Sequence, residues 1–353
     1  MEMNYATHVR KRSLPDRIVR WIAGALALLL FRVIVRLSPN GLKKLARFLW
    51  RIAWPVSFSV KRKSRRNLEL CLGSELGLRE REQLLRRATY NWLYGGLLTW
   101  RLANMSAEEI RQLVDISGRE HLDAALSKRR GVIAIGAHVG PFTLIGARLA
   151  VDGYSYGVVV RIASDPRIER VMASIRERLG VSCFYRGTQT LAMVRALQRG
   201  SIVHLFLDQH VSVNGVVVEF FGHPAPTYPG AAVLARRLNC PVLPIFLVPQ
   251  PEGPAPYVVE IGPEYDLQWT DDAEADILHA TELFSRSIEE VIRRFPDQWI
   301  WMHGRLIRPT DTPRLALPHL LDALPPAARA AIDRAAVLPI VGQLDDPPEA
   351  PDG

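Results

Sequence analysis

Gly131-Val132-Ile133-Ala134-Ile135-Gly136-Ala137-His138-Val139-Gly140-Pro141-Phe142-Thr143 is the stretch from which the fold of this chain can be read. A short apolar run bounded by glycine predicts a buried strand. It ends in a histidine, and Leu144, Ile145, Ala147 and Leu149 then recur in a helical pattern. A titratable side chain at the carboxyl end of a buried strand stands where α/β folds place their chemistry. Imidazole is the group best suited to take a proton near neutral pH.

Working outward, strand and helix alternate. Tyr156 to Val160 reads as a strand ending at Arg161, and Ile168 to Leu179 as a helix carrying Arg176 and Arg178. Val181 to Tyr185 is a strand closed by Arg186-Gly187, Thr190 to Gln198 a helix, and Ile202 to Leu207 a strand running into Asp208-Gln209-His210. Ala231 to Leu238 follows as a helix, then Pro241 to Phe246 as a strand with Tyr257 to Gly262 pairing against it. Ile277 to Phe295 is an amphipathic helix stopped by Pro296. This alternation specifies a mixed α/β fold with a largely parallel sheet flanked by helices. Successive strands ending in His138, Arg161, Arg186 and Asp208 gather these groups at one edge. Upstream, residues 75–130 read as helical, with Arg79 to Arg101 the longest run and Ser106-Ala107-Glu108-Glu109 a helix start.

The chain has 353 residues and 48% apolar content, enough for a large core. Cys71, Cys183 and Cys240 have neither paired spacing nor an even count, which argues against a disulfide framework or a zinc site. The net charge of +9 is unevenly spread. Through Arg66 there are sixteen Lys/Arg against two acids (Glu2 and Asp16), a local +14 that leaves about −5 for the rest. Trp21 to Phe31 is an uncharged run of 11 residues, shorter than the roughly 18–20 a clean membrane span needs. From Leu42 to Ala53 apolar residues recur at helical spacing between Lys43, Lys44, Arg47 and Arg51, with Trp50 and Trp54 suited to the headgroup level. Basic charge beside apolar helix predicts a retained membrane anchor, a short span or an interfacial helix, and points away from nucleic acid. The run Lys61-Arg62-Lys63-Ser64-Arg65-Arg66-Asn67-Leu68 reads as a surface for phospholipid or an acidic substrate.

Several of these segments resemble the bacterial lipid A biosynthesis acyltransferases, of the lauroyl/myristoyl transferase type within the lysophospholipid acyltransferase superfamily. The strand ending in His138, the Arg161 and Asp165-Pro166 after the second strand, and Arg176-x-Arg178-x-Gly180 match the family's pattern. So do Asp208-Gln209, Phe220-Phe221-Gly222-His223-Pro224-Ala225-x-Thr227-x-x-Gly230, and the closing Pro296-Asp297-Gln298-Trp299-Ile300-Trp301-Met302-His303-Gly304-Arg305. The resemblance covers about residues 15–308. It implies a glycerolipid acyltransferase-like fold with an N-terminal membrane-anchoring helical segment, and with the flanking stretches read from their composition the chain divides into four parts. These are a disordered basic N-terminus (1–14), anchor and basic amphipathic helices (15–66), an acyltransferase domain (67–308) and a Pro/Ala-rich tail (309–353).

The resemblance further implies transfer of a fatty acyl group from acyl carrier protein or acyl-CoA to a lipid or glycolipid. That would take place at the bacterial inner membrane, with the catalytic domain on the cytoplasmic side and no cofactor. His138 is the expected general base. In the family an acid follows five residues later, and here that position holds Thr143, which can hydrogen-bond an imidazole but cannot offset its charge. Asp208 or Asp165 could supply the carboxylate, or an amine acceptor could need less help. Asp208 suits positioning rather than base catalysis. Arg161, Arg176, Arg178 and Arg186 are candidates for gripping phosphates of donor or acceptor. His303 is expected to support the fold. Thr143 also keeps open a catalytically inactive relative that binds lipid or acyl chains. A hydrolase is disfavoured, because no serine stands in a G-x-S-x-G context.

Overall fold

The computed structural model describes residues 14–185, 189–211 and 215–306. The tail from Pro309, including a helix expected near Ala327 to Ala336, lies outside the described residues, as do Arg186 and all but the last residue of the basic N-terminus.

Four helices lead the chain: α1 (Leu14–Ile34), α2 (Pro39–Val56), α3 (Phe58–Leu72) and α4 (Leu78–Arg101). Ser38 starts α2 by accepting the Gly41 N–H at 3.2 Å, with Pro39 in the first turn, where its missing N–H costs nothing. The helical spacing expected from Leu42 to Ala53 lies within α2, and α3 runs through residues 66 and 67, where the sequence places a domain boundary. Ile34, Leu42 and Ala46 are fully buried, so α1 and α2 pack on the body. Their outer faces keep Ile22, Leu26, Leu29 and Val33 of α1, and Phe48, Ile52 and Val56 of α2, exposed at helical spacing. Among the described residues no helix is long and apolar enough to cross a membrane. The spanning form of the expected anchor is therefore not found, because charged residues bracket the apolar run of α1 too closely.

The remaining elements are α5 (Ala107–Leu113), β1 (Val114–Ser117), α6 (Arg119–Ser127), β2 (Val132–Gly136), α7 (Thr143–Val151), β3 (Tyr156–Val160), α8 (Pro166–Arg178), β4 (Ser182–Tyr185), α9 (Thr190–Gln198) and β5 (Ile202–Phe206). They continue with β6 (Val216–Phe220), β7 (His223–Thr227), α10 (Gly230–Leu238), β8 (Val242–Pro249), β9 (Tyr257–Ile261) and α11 (Ala273–Arg294). Seven strands form one sheet in the order β1-β9-β8-β2-β5-β3-β4, parallel except where β8 meets β9. Helices cover both faces and divide the core. Leu144, Ile145, Leu149 and Ile175 of α7 and α8 pack on one face. Met193, Leu197, Leu234 and Ile288 of α9, α10 and α11 pack on the other.

Three differences from the sequence reading stand out. Val114–Ser117, expected as helix, is the edge strand β1, paired in parallel with β9. The Phe-Phe-Gly block is a separate hairpin, β6–β7, turning on Phe221 (φ 52°) and Gly222 (φ 71°). Positive φ at both turn residues is what a two-residue hairpin of this twist requires. Helix α11 starts four residues earlier than expected, at Ala273, where Asp272 accepts the Ala275 N–H.

Candidate active site

Strands β2 and β5 lie side by side in parallel with a constant register, from Val132 beside Ile202 to Gly136 beside Phe206. Two residues beyond each strand end stand His138 and Asp208. The register that pairs the strands thus brings these two side chains together. Nδ1 of His138 donates to Oδ1 of Asp208 at 2.7 Å. Oδ2 accepts the backbone N–H of His138 at 2.8 Å and the indole Nε1–H of Trp299 at 2.8 Å. Asp208 is 2% exposed. Burial alone pushes its pKa up, but the neighbouring His138 charge and the hydrogen bonds from His138 and Trp299 outweigh it and hold the carboxyl at about 2. An ionised Asp208 keeps the proton on Nδ1, which leaves the lone pair of a neutral imidazole on Nε2.

The imidazole is seated between aromatic rings, with Phe142 at 4.7 Å and Phe206 at 5.0 Å between centroids. The Gln209 side-chain amide lies 3.4 Å from Nε2. The ring of His303 lies 6.3 Å away, so this residue faces the site besides serving the fold. Its pKa is lowered by burial first and then by the charge of His138.

The closing segment from Pro296 to Arg305 is the third wall. Asn67 of α3 donates to the carbonyls of Trp301 (2.6 Å) and His303 (2.8 Å), and Asn91 of α4 to that of Asp297 (2.9 Å). Gly140 N–H donates to Gln298 O at 2.9 Å. These bonds fix Trp299 against Asp208. The basic run on α3 is thereby split in role. Asn67 points inward and Arg65 pairs with Glu82, while Arg62, Lys63 and Arg66 stay exposed.

Beside His138 opens a cavity of about 590 Å³, within the roughly 300–1,000 Å³ of small-molecule sites. Leu102, Met172, Ile175, Leu179, Phe184 and Met193 make much of its wall apolar. Thr143 lines it too. Its hydroxyl lies 2.7 Å from that of Thr99, which itself donates to Gly95 O, so Thr143 donates to Thr99. The structure therefore joins Asp208 to His138 and turns the Thr143 hydroxyl to α4. Asp165 caps α8 by accepting the Arg167 N–H and pairs with the Arg167 guanidinium at 2.7 Å.

Of the expected arginines, Arg161 and Arg176 line the cavity. The Arg176 guanidinium is bound to buried Glu169 at 2.9 Å and to Cys183 Sγ at 3.3 Å. Arg178 donates to the Leu102 carbonyl. Trp299, Glu169 and the Thr99–Thr143 pair went unassigned in the sequence reading. Trp299 and the Thr99–Thr143 pair act through partners far along the chain, whereas Glu169 is bound within its own neighbourhood, by Arg176 seven residues on.

Residues 10–308 match the model of a family described as bacterial lipid A biosynthesis acyltransferase. A lipid A biosynthesis palmitoleoyltransferase of Escherichia coli (strain K12) is 26% identical over 245 residues, 69% of this chain and 77% of the relative. A lipid A biosynthesis acyltransferase of Shigella flexneri matches to the same extent. A phosphatidylinositol mannoside acyltransferase of Mycobacterium tuberculosis (strain CDC 1551 / Oshkosh) is 26% identical over 151 residues, 41% of this chain and 48% of the relative.

Proposed function

The chain belongs to the bacterial lipid A biosynthesis acyltransferase family, and on that premise we propose that it transfers a fatty acyl group directly, with His138 as general base. The carrying observation is an imidazole backed by a buried carboxylate at an apolar cavity. The donor is a thioester of acyl carrier protein or coenzyme A, and the acceptor a hydroxyl or amine of a lipid, glycolipid or specialised metabolite. The relatives' names cover two kinds of glycolipid, which supports a lipid acceptor without choosing one.

In this reading Nε2 takes the acceptor's proton as its oxygen or nitrogen attacks the thioester carbon. The C–S bond breaks, and the departing thiolate recovers the proton from the imidazolium. Asp208 stabilises that imidazolium and fixes its tautomer, the part an acid at position 143 plays elsewhere in the family. No acyl-enzyme is invoked, because the Thr143 hydroxyl is committed to Thr99. Arg161 at the cavity wall is suited to a donor or acceptor phosphate. The exposed apolar stripes of α1 and α2, with Lys44, Arg47 and Arg51 among them, suit an anionic bilayer surface. We place the protein at the inner membrane by that interfacial contact, with the cavity on the cytoplasmic side.

The test is acyl transfer by the purified full chain, with radiolabelled acyl carrier protein and acyl-CoA thioesters and a total lipid extract. Product from wild type that disappears in His138→Ala supports the assignment. Equal product from that variant sinks the general-base role. Flotation with anionic vesicles that survives charge reversal of Lys44, Arg47 and Arg51 would refute the electrostatic part of the membrane contact.

A further inference from the structure

The cavity draws its wall from both faces of the sheet, and the reaction above uses only one. Along a strand, alternate side chains point to opposite faces. On β3 and β5, Tyr156, Val158 and Phe206 lie on the side of α7 and α8, while Val159, Leu205 and Leu207 lie on the side of α9. Phe184 and Met193 extend this second side. The cavity therefore passes around the carboxyl edge of the sheet. The imidazole touches Phe142 and Phe206, so the chain carried by the reacting carbonyl belongs on the α7–α8 side.

The opposite side has its own bore-setting contact. A Cβ on Gly157 would come within 2.5 Å of the Phe184 ring, so only glycine lets the ring approach β3 this closely, out of the lumen. Tyr156 is seated in the same way on Gly146 on the first side, 2.6 Å from where a Cβ would be. Gln189, Thr190, His210 and Tyr228 add polar groups to the same cavity wall, matching an amphiphile with an apolar tail and a polar head.

We propose that the Phe184–Met193 side is a second aliphatic-chain subsite, occupied by the tail of the acceptor. Two chains then lie on opposite faces of the sheet with their polar ends meeting at His138. The assignment of the two roles rests on the acyl-transfer reading above.

The test reconstitutes the full chain in phosphatidylcholine vesicles and photolabels it with dodecanol carrying a terminal diazirine, with adducts mapped by peptide mass spectrometry. Wild type is expected to label at Phe184, Met193 and their neighbours. Gly157→Ala drives the Phe184 ring into the lumen and lowers that labelling roughly tenfold, the scale of one methyl group in an apolar pocket, while adducts on α8 persist. Phe184→Ala raises it. Labelling confined to α8 in the wild type and in Phe184→Ala overturns the subsite. So does Gly157→Ala labelling like wild type. Labelling needs no turnover, so a failed transfer assay with these adducts intact would count against the enzyme reading and leave the subsite standing.

Discussion

Two buried carboxylates, Asp208 and Glu169, are each 2% exposed; Glu169 lines the cavity, Asp208 stands behind His138, which lines it, and their partners set them apart. Glu169 accepts from the Arg176 guanidinium, the Ala163 N–H and the Tyr185 hydroxyl. Its counterion is a guanidinium that keeps its charge, so the pair is closed on itself. Asp208 is held by two neutral N–H donors and an imidazole whose charge can come and go. Only the second arrangement can help a proton move. Burial and a salt bridge thus mark a wall, whereas burial beside an imidazole is the arrangement the proposed acyl transfer uses.

The contrast is broken most directly at Asp208. Asp208→Asn keeps the shape but removes the charge that holds the tautomer, and is expected to lower kcat about 10³–10⁴-fold in the transfer assay. A loss under tenfold would put Asp208 in the same structural class as Glu169. Glu169→Gln should do the reverse. It leaves Arg176 without its anion and costs on the order of 3–5 kcal/mol in denaturant unfolding, with the kcat of the folded fraction within a few-fold of wild type.

Smaller changes sharpen the picture. Trp299→Phe removes one of three donors to Asp208 and should cost roughly 1.5–3 kcal/mol of stability. It also moves the acid limb of the stability curve. A carboxyl held at about 2 contributes stability that is complete above its unfolded pKa near ~3.9 and is lost as pH falls through about 2. With a donor gone the folded pKa rises, so the loss still begins near the unfolded pKa but is smaller and is complete at higher pH, which unfolding followed from pH 5 to pH 2 would reveal. Smallest is Thr143→Val, expected to leave kcat within about threefold, since the charge on the imidazole is met from β5. A large drop would return position 143 to the mechanism.

Much of the fold was legible in the sequence. β2, β3, β5, α8 and α9 follow from apolar runs bounded by glycine, arginine or Asp-Pro, and each lies within about two residues of its expected limits. β1 was hidden because four residues follow α5 without a loop, and the partner that makes them a strand, β9, is more than a hundred residues downstream. The β6–β7 hairpin was hidden by Pro224 and Pro226, which read against a strand, and by a Phe-Gly turn instead of Asn-Gly. In the site, His138 was readable from its strand and Asp208 from its own. Their union needed the register of β2 against β5, which no local pattern encodes. Thr143 looked like a missing acid because the sequence offers one dimension of neighbours and the sheet supplies another.

The way Trp299 reaches Asp208 has a consequence for how the site comes into being. The imidazole and its acid are 70 residues apart, and the indole lies 91 residues beyond the acid. On a ribosome the chain emerges from its N-terminus, so Asn67 and Asn91 wait with nothing to hold until the segment from Asp297 to His303 has been made. The centre is complete only when the synthesis of the described chain is nearly finished, and contacts this distant in sequence form slowly. A shortened nascent chain that ends before Trp299 carries His138 and Asp208 but lacks the third donor that holds the carboxylate in place.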